Sequence, residues 1–223
     1  MSLLAQLEAS ANPQKAQEMA AYHKVERPYL GVANPQIDVF VKDFQAQHPV
    51  ALWVQEADAL WQTDVFEARV AAGKLLTKAR LRQDEGLVWD TIASWTPSFD
   101  SWAIADHASA AGARRLVAEP TRLDAVEAWV QEDGLWQRRA ALVMTLPWAK
   151  LAHPDEDNLA RRERILAWAA QSANDPTWFM QKAIGWWLRT LAKKDPDRVK
   201  AFLETHGASM KPFAVREALK PIR

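Results

Sequence analysis

Residues 178–189 read WFMQKAIGWWLR, and their spacing predicts a helix with a buried face. Ala183 and Ile184 lie one turn before Trp187, and Leu191 lies one turn after it, so the four side chains share one apolar side. Large aromatic side chains at helical spacing among apolar residues are typical of a core. We expect the same of four other tryptophans: Trp53, Trp61, Trp129 and Trp168.

The other side of this helix carries a different set of residues. Trp186 lies about 100° round the helix from Trp187. Lys182 precedes Trp186 by four residues and Arg189 follows it by three, so a ring stands between two cations. Such a ring suits a sugar or a base beside phosphates. The alternative is a half-exposed tryptophan packed under the stems of the two cations.

The rest of the chain consists of segments with the same helical periodicity, separated by Pro and Gly residues. The predicted helices are 13–24, 35–47, 49–61, 64–80, 84–95, 98–111, 112–118, 121–131, 134–146, 155–172, 175–192, 195–206 and 211–220. Asn or Asp precedes Pro at four of the starts and predicts an N-cap there: Asn12, Asn34, Asp175 and Asp195. Gly207 follows a predicted helix, as a C′ glycine would.

These segments recur as helix pairs over roughly 35–45 residues, which falls in the range of HEAT-like arrays. The alternative is an irregular helical domain. We predict an all-α, HEAT-like helical repeat solenoid, an α-α superhelix, as a single continuous domain over residues 1–223.

Composition excludes several classes of site. The 223 residues contain no Cys and 7 Gly, which excludes disulfides, thiolate metal sites and cysteine nucleophiles and disfavours Gly-rich nucleotide loops. The 5 His form no HxxxH pair. No apolar run approaches the ~18 residues of a membrane span, and the N-terminus lacks the pattern of a secretory signal. We expect a cytoplasmic protein with no membrane partner, metal or other cofactor.

The net charge of zero, 28 basic against 28 acidic residues, hides an asymmetry. Residues 134–223 hold 16 Lys and Arg against 9 Asp and Glu, a charge of +7. Residues 1–133 hold 12 against 19, a charge of −7. A split of this size can form a basic face on a neutral protein, or it can reflect solvated helix faces alone.

Two further features, the Trp102 and Asp106 pair and Arg139, each allow a chemical and a structural interpretation. Trp102 and Asp106, four residues apart, share a helix face, where a carboxylate near a ring can stabilise a positive charge. The alternative is a solvated carboxylate, or one that accepts from the Trp102 indole. Arg139 lies on an apolar stripe between Trp136 and Val143, so it must be paired or point at an anion. A buried ion pair is the alternative.

Several segments, in order, resemble one family. They are 178–189; LWQRRAA at 135–141; FAVREA at 213–218; Tyr22 with PYLGV at 28–32; LW at 60–61 with FEAR at 66–69; and Trp102 with Asp106. Together they are similar to the HEAT-like-repeat DNA glycosylases of the AlkD-like, DNA alkylation repair type, over about residues 18–222. The chain departs from that pattern in its neutral charge, and Trp89 with Asp90 offers a competing register for the Trp102 and Asp106 pair.

The resemblance implies a site on a concave face lined by the helices of Trp102, Arg139 and Trp186. It implies catalytic roles for Asp106, Trp102 and Trp186, and a backbone phosphate held by Arg139. The DNA-binding set implied with it is Arg139, Lys182, Arg189, Arg138, Tyr22 and Arg216.

The implied chemistry needs few groups. A purine alkylated at N3 or N7 carries a positive charge and leaves as a neutral base, so no strong general acid is required. The remaining task is to stabilise an oxocarbenium-like sugar and to position water, which a carboxylate aided by ring faces can do. The resemblance therefore implies a glycosylase that releases 3-methyladenine or 7-methylguanine from duplex DNA, and it also implies that this happens without deep base flipping.

The partner is then double-stranded DNA with alkylated bases, bound by a monomer. The alternative is a non-catalytic HEAT-like module that binds unusual DNA structures or protein, which the neutral charge favours. The preference among the two methylated bases and bulky adducts is left open.

Overall fold

The computed structural model describes residues 2–78, 81 and 84–222, and within these residues it contains helices, turns and loops but no strand. This confirms the predicted all-α class. The chain forms two compact units, Met1–Glu119 and Pro120–Arg223. The single continuous domain and the shared concave face stay predictions. Across the described part of the chain, no helix combines the length and apolarity needed to cross a membrane.

Helices account for most of both units. Those of the first unit are α1 (Leu3–Ala9), α2 (Pro13–His23), α3 (Asn34–Gln47), α4 (Val50–Gln62), α5 (Phe66–Leu75), α6 (Glu85–Trp95) and α7 (Trp102–Ala118), with a 3₁₀ turn at Thr96–Ser98. Those of the second unit are α8 (Leu123–Trp129), α9 (Leu135–Met144), α10 (Leu146–Lys150), α11 (Glu156–Gln171), α12 (Trp178–Ala192), α13 (Pro196–His206) and α14 (Pro212–Leu219), with 3₁₀ turns at Pro120–Arg122 and Gly207–Ser209.

Most predicted helices lie within a few residues of the observed ones, but the break predicted after residue 111 is wrong. The α7 helix is continuous through Gly112, which is buried. A glycine inside a helix costs about 1 kcal/mol relative to alanine, which packing readily offsets. The helix begins at Trp102 rather than at 98, because the Ser101 side chain caps it by accepting from the Ile104 N–H at 3.4 Å.

Other boundaries differ for local reasons. The sequence pattern missed α1, whose Leu3 and Leu7 are fully buried. The helix predicted over 134–146 ends at Met144, and α10 follows as a separate short helix. The helix predicted to reach residue 80 ends at Leu75, and residues 79 and 80 lie outside the described part of the chain.

Two of the four predicted N-caps are confirmed. Asn12 and Asp195 each accept a backbone N–H three residues ahead, at 3.0 Å. The other two predictions are wrong, because α3 starts at Asn34 itself and α12 starts after Thr177. Gly207 has φ −61°, a right-handed conformation, so the predicted C′ glycine is also wrong.

The core of the first unit forms around α5, which packs on α3, α4 and α7. Gly73 allows the closest approach, since an added Cβ would lie 2.9 Å from the backbone carbonyl carbon of His107 on α7. Trp61 and Trp95 stack nearby with parallel rings 4.4 Å apart. All five tryptophans predicted as core are at most 9% exposed, which confirms that prediction: Trp53, Trp61, Trp129, Trp168 and Trp187.

The core of the second unit forms around α12, which packs on α9, α10, α13 and α14. Its predicted apolar face, with Trp187 at 0% exposure, is buried. Gly185 faces α14, where an added Cβ would lie 3.1 Å from the Ala214 carbonyl oxygen. Gln181, also 0% exposed, donates to the carbonyls of Ala173 and Asp175 and accepts the Lys211 N–H at 2.9 Å. Gln181 and Gly185 therefore serve the packing of α12.

Candidate functional site

An aromatic cluster in the first unit surrounds the start of α7. We call Tyr22, His23, Tyr29, Phe66 and Trp102 the Trp102 cluster. The edge of Tyr22 meets Trp102 at 6.1 Å between ring centroids, and His23 lies 5.4 Å from Trp102 and 4.4 Å from Phe66. Tyr22 is 69% exposed, so the cluster reaches the surface. The structure thus brings two predicted site residues, Tyr22 and Trp102, together.

A buried carboxylate fixes the loop beside this cluster. Glu67 on α5 is 0% exposed and accepts the N–H groups of Leu30 at 2.9 Å, Gly31 at 2.7 Å and Val32 at 3.3 Å. Gly31 has φ +78°, and an added Cβ would lie 2.2 Å from the Asn12 carbonyl oxygen. The PYLGV and FEAR segments therefore bond to each other through Glu67, and this contact holds the start of α2 near α5.

Asp106 lies one turn beyond Trp102 on α7, and both residues are half-buried. The predicted shared face is therefore present on a continuous helix. The competing pair is arranged differently, since Trp89 is 7% exposed in the core and Asp90 is exposed to solvent. These environments favour Trp102 and Asp106 as the candidate reactive pair.

Burial disfavours the charged forms of two histidines near this pair, His23 and His107. Burial lowers the pKa of His23, and its Nδ1 is buried without a hydrogen-bond partner among the described residues. Burial also lowers the pKa of His107, to about 4, with Lys74 adding to the effect and Asp38 opposing it. Within the described residues, no three His, Cys, Asp or Glu side chains group closely enough to hold a metal ion.

An ion-pair network lies just before α7. Arg27, whose side chain is 3% exposed, pairs with Asp100 and, at 3.4 Å, with Asp64. Asp64 also pairs with Arg69 at 3.0 Å, and the Arg69 guanidinium lies over the Trp61 ring at 5.1 Å. This network ties the loop after α2 to the loops before α5 and α7.

The second unit carries another aromatic surface, at the start of α12. We call Trp178, Lys182 and Phe213 the Trp178 surface. The Lys182 ammonium lies 4.5 Å from the centroid of the Trp178 ring, which is 50% exposed. Sequence reasoning missed Trp178, although its spacing of four residues from Lys182 puts it on the same stripe as Trp186.

Arg139 and Arg138 each bond to the protein itself. Arg139 is 3% exposed and donates from Nη1 to the Phe179 carbonyl at 2.9 Å. Arg138 donates to the carbonyls of Glu132 and Asp133, at 2.8 and 2.7 Å, and pairs with Asp175 at 3.1 Å. Their phosphate contacts stay predictions, and the structure gives both side chains a role in joining α9 to the start of α12.

The Asp175 carboxylate completes this junction. Burial alone would raise the pKa of Asp175, but bonds from Thr177 and Arg138 outweigh it and bring the pKa below its usual value. A charged Asp175 therefore holds the turn that precedes α12.

The remaining predicted cations differ in exposure. Lys182 and Arg216 are exposed, on α12 and α14, whereas Arg189 pairs with Glu217, which Lys220 also contacts at 2.5 Å. Trp186 is half-buried one turn beyond Lys182. Of the predicted site residues, Tyr22, Trp102 and Asp106 belong to the first unit, and the other six belong to the second.

A further arginine of the second unit is buried as well. Arg162 on α11 is 2% exposed and donates to the carbonyls of Trp148 at 3.2 Å and Leu151 at 2.7 Å. Its nearest carboxylate partner is Asp195, at 3.7 Å. This guanidinium therefore satisfies backbone groups at the end of α10.

Solved structures share this fold. The chain is similar to a protein from Enterococcus faecalis described as a predicted DNA alkylation repair enzyme, with TM-score 0.76, 22% identity and coverage of 94% of this chain and 95% of that one. It is also similar to AlkD2 from Streptococcus mutans, with TM-score 0.64, 17% identity and coverage of 92% and 98%. These likenesses confirm the predicted helical-repeat fold. No curated protein matches the chain by sequence.

A family model identifies the chain more specifically. The model described as DNA alkylation repair enzyme matches residues 3–222, nearly the whole length. The match includes every segment on which the predicted resemblance depends, from Tyr22 to FAVREA at 213–218. The chain therefore belongs to the DNA alkylation repair enzyme family.

Proposed function

We propose that the protein is a monofunctional DNA glycosylase that releases cationic N3- and N7-alkylated purines, such as 3-methyladenine and 7-methylguanine, by hydrolysing the N-glycosidic bond. The observation that carries the proposal is the pairing of Trp102 with Asp106. A half-buried carboxylate stands one helical turn from a ring that belongs to a surface-reaching aromatic cluster.

The chemistry follows from the charge of the lesion. The alkylated base departs as a neutral molecule, and positive charge passes to the sugar as the bond lengthens. Asp106 stabilises that charge and orients the water that attacks the sugar carbon. The Trp102 ring offers its electron-rich face to the same charge. Neither step needs a proton donated to the base.

The surroundings suit a cationic lesion. His23 packs against Trp102, and burial lowers its pKa, which disfavours a positive charge on its ring beside Trp102. Tyr22, mostly exposed at the edge of Trp102, is placed to contact DNA first. The rings of the Trp102 cluster pack on one another, so the reactive groups need little reorganisation when DNA binds.

In the second unit, we propose that the exposed cations Lys182 and Arg216 contact backbone phosphates. Arg139 and Arg138 support this surface from within, through the Phe179 carbonyl and the turn before α12. A catalytic role for Trp186 and a DNA contact by Arg189 stay predictions.

The test is single-turnover release of 7-methylguanine from methylated duplex DNA, followed by chromatography. Asp106→Asn keeps the shape of the side chain and removes its charge. Loss of one preorganised charge contact lowers rates by about 10²–10³ in comparable sites, and we expect a loss of that size here. Asp90→Asn, at an exposed carboxylate beside another tryptophan, is the matched control and should leave the rate unchanged.

DNA binding is measured alongside for both variants. A rate for Asp106→Asn equal to that of the unmodified protein would refute the assignment of Asp106. A loss explained wholly by weaker binding would refute it as well, and would favour a binding module.

A further inference from the structure

Trp178 is unusual among the tryptophans of this protein. Of the 12 in the sequence, it alone belongs to the exposed large apolar side chains of the described residues, with 50% of its surface accessible. Exposing an indole forgoes part of the burial that stabilises a fold, and large aromatic rings at a surface commonly serve recognition.

The ring is held firmly despite its exposure. Phe213 of α14 lies 5.8 Å from it with ring planes 29° apart, and Phe179 meets it edge-on at 4.9 Å. Phe179 in turn packs on Trp136 of α9 at 4.8 Å, and its carbonyl accepts from Arg139. Three helices therefore fix the orientation of the Trp178 ring before any ligand binds, which reduces the entropy lost on binding.

The charges round the ring indicate the class of ligand. The Lys182 ammonium lies over the ring at 4.5 Å, and Lys182 is itself exposed. Arg216 is exposed on the neighbouring α14. A flat π-face with an exposed ammonium over it complements a nucleotide, whose base stacks and whose phosphate attracts the cation.

We propose that Trp178 is a stacking platform for an unpaired DNA base, and that Lys182 moves from the ring to the adjoining phosphate when the base arrives. The proposal rests on the proposed function only in taking DNA as the polymer. It adds a site for unpaired nucleotides that is formed by residues other than the reactive pair Trp102 and Asp106.

Replacement of the Lys182 ammonium by a DNA base on the Trp178 ring is favourable. An exposed cation–π contact is among the weaker ones, because water competes for the ammonium. Stacking of a base on an aromatic ring is stronger, and the displaced ammonium gains a phosphate partner. Since every base has a π-face, the site should accept all four bases.

The experiment uses the full chain and two short duplexes of the same sequence, one fully paired and one with a single unpaired 2-aminopurine. We expect Trp178→Leu, which keeps apolar bulk but removes the π-face, to bind the bulged duplex about 5- to 150-fold more weakly. Affinity for the paired duplex should change little. Trp178→Phe should retain most of the affinity, and Leu159→Ala, at an apolar side chain of α11 that is 43% exposed, is the matched control.

Fluorescence of the unpaired 2-aminopurine reports stacking directly. Binding of the unmodified protein should quench it, and Trp178→Leu should abolish the quenching. Unchanged affinity and quenching in a Trp178→Leu protein with native circular dichroism would overturn the proposal. An equal loss on both duplexes would also overturn it, because Trp178 would then contact DNA without regard to pairing.

These measurements need no catalysis. If the protein failed to release any alkylated base, the proposed function would fail while the stacking site could still be confirmed. Conversely, loss of quenching is not expected in Asp106→Asn, so the two sites are tested independently.

Discussion

Replacing Glu67 by Gln tests how the loop beside the Trp102 cluster is held. The carboxylate is 0% exposed and one oxygen accepts from both Gly31 and Val32, while the other accepts from Leu30. The side-chain oxygen of glutamine can still accept from Gly31 and Val32. Its amide nitrogen then faces the Leu30 N–H, so two hydrogen-bond donors meet and the Leu30 N–H loses its acceptor. A hydrogen bond to a charged acceptor contributes about 1.5–3 kcal/mol, and an unsatisfied buried donor costs a similar amount.

We therefore expect Glu67→Gln to favour local opening of residues 28–32 by about 2–3 kcal/mol. This corresponds to about a 30- to 150-fold larger population of the open loop. Hydrogen exchange of the Leu30, Gly31 and Val32 amides measures that population directly. Glu26→Gln, at an exposed carboxylate nearby, is the control and should change nothing. Unchanged exchange of the three amides in Glu67→Gln would refute the view that this carboxylate holds the loop.

Two further predictions concern stability. Gly73→Ala should lower the free energy of unfolding measured in urea, because the new Cβ would lie 2.9 Å from the α7 backbone. Gly86→Ala should raise the free energy of unfolding by about 0.4–1 kcal/mol, because no described atom lies within 4 Å of the new Cβ. If both substitutions had the same sign, the close approach of α5 and α7 would not explain Gly73. Burial holds the pKa of His107 at about 4 against 6.5 in the unfolded chain, so the unfolded chain binds more protons below pH 6.5. Stability should therefore fall by up to about 3 kcal/mol between about pH 6.5 and 4, and His107→Gln should flatten that part of the profile in urea titrations at several pH values.

Periodicity predicted the parts of the fold that depend on burial along one helix. The face of α12 around Trp187 is an example, because residues three and four apart must share a side whatever packs against them. Helix boundaries were less predictable, because they depend on the balance between local sequence preferences and packing against other helices. The α7 helix continues through Gly112 because neighbouring helices stabilise it, and α1 is too short for its two buried leucines to form a visible period.

The candidate site was also predictable only in part. The spacing of Trp102 and Asp106 could be predicted from the sequence, because it lies within one helix. The Trp102 cluster could not, because Tyr22 and Phe66 reach it from other helices. Glu67 left a signal, a carboxylate at the head of a mostly apolar helix, but its partners are backbone groups that no side-chain pattern reveals.

A buried arginine changes what the charge asymmetry means for DNA binding. The +7 of residues 134–223 includes Arg162, which is 2% exposed and bonds to the carbonyl oxygens of Trp148 and Leu151. Binding of a polyanion releases one set of counterions for each cation that reaches a phosphate, and a guanidinium enclosed by protein releases none. The ionic-strength dependence of DNA binding should therefore reflect side chains such as Lys182 and Arg216, a smaller number than the formal charge suggests. For this neutral chain, the placement of a few accessible cations matters more than their total.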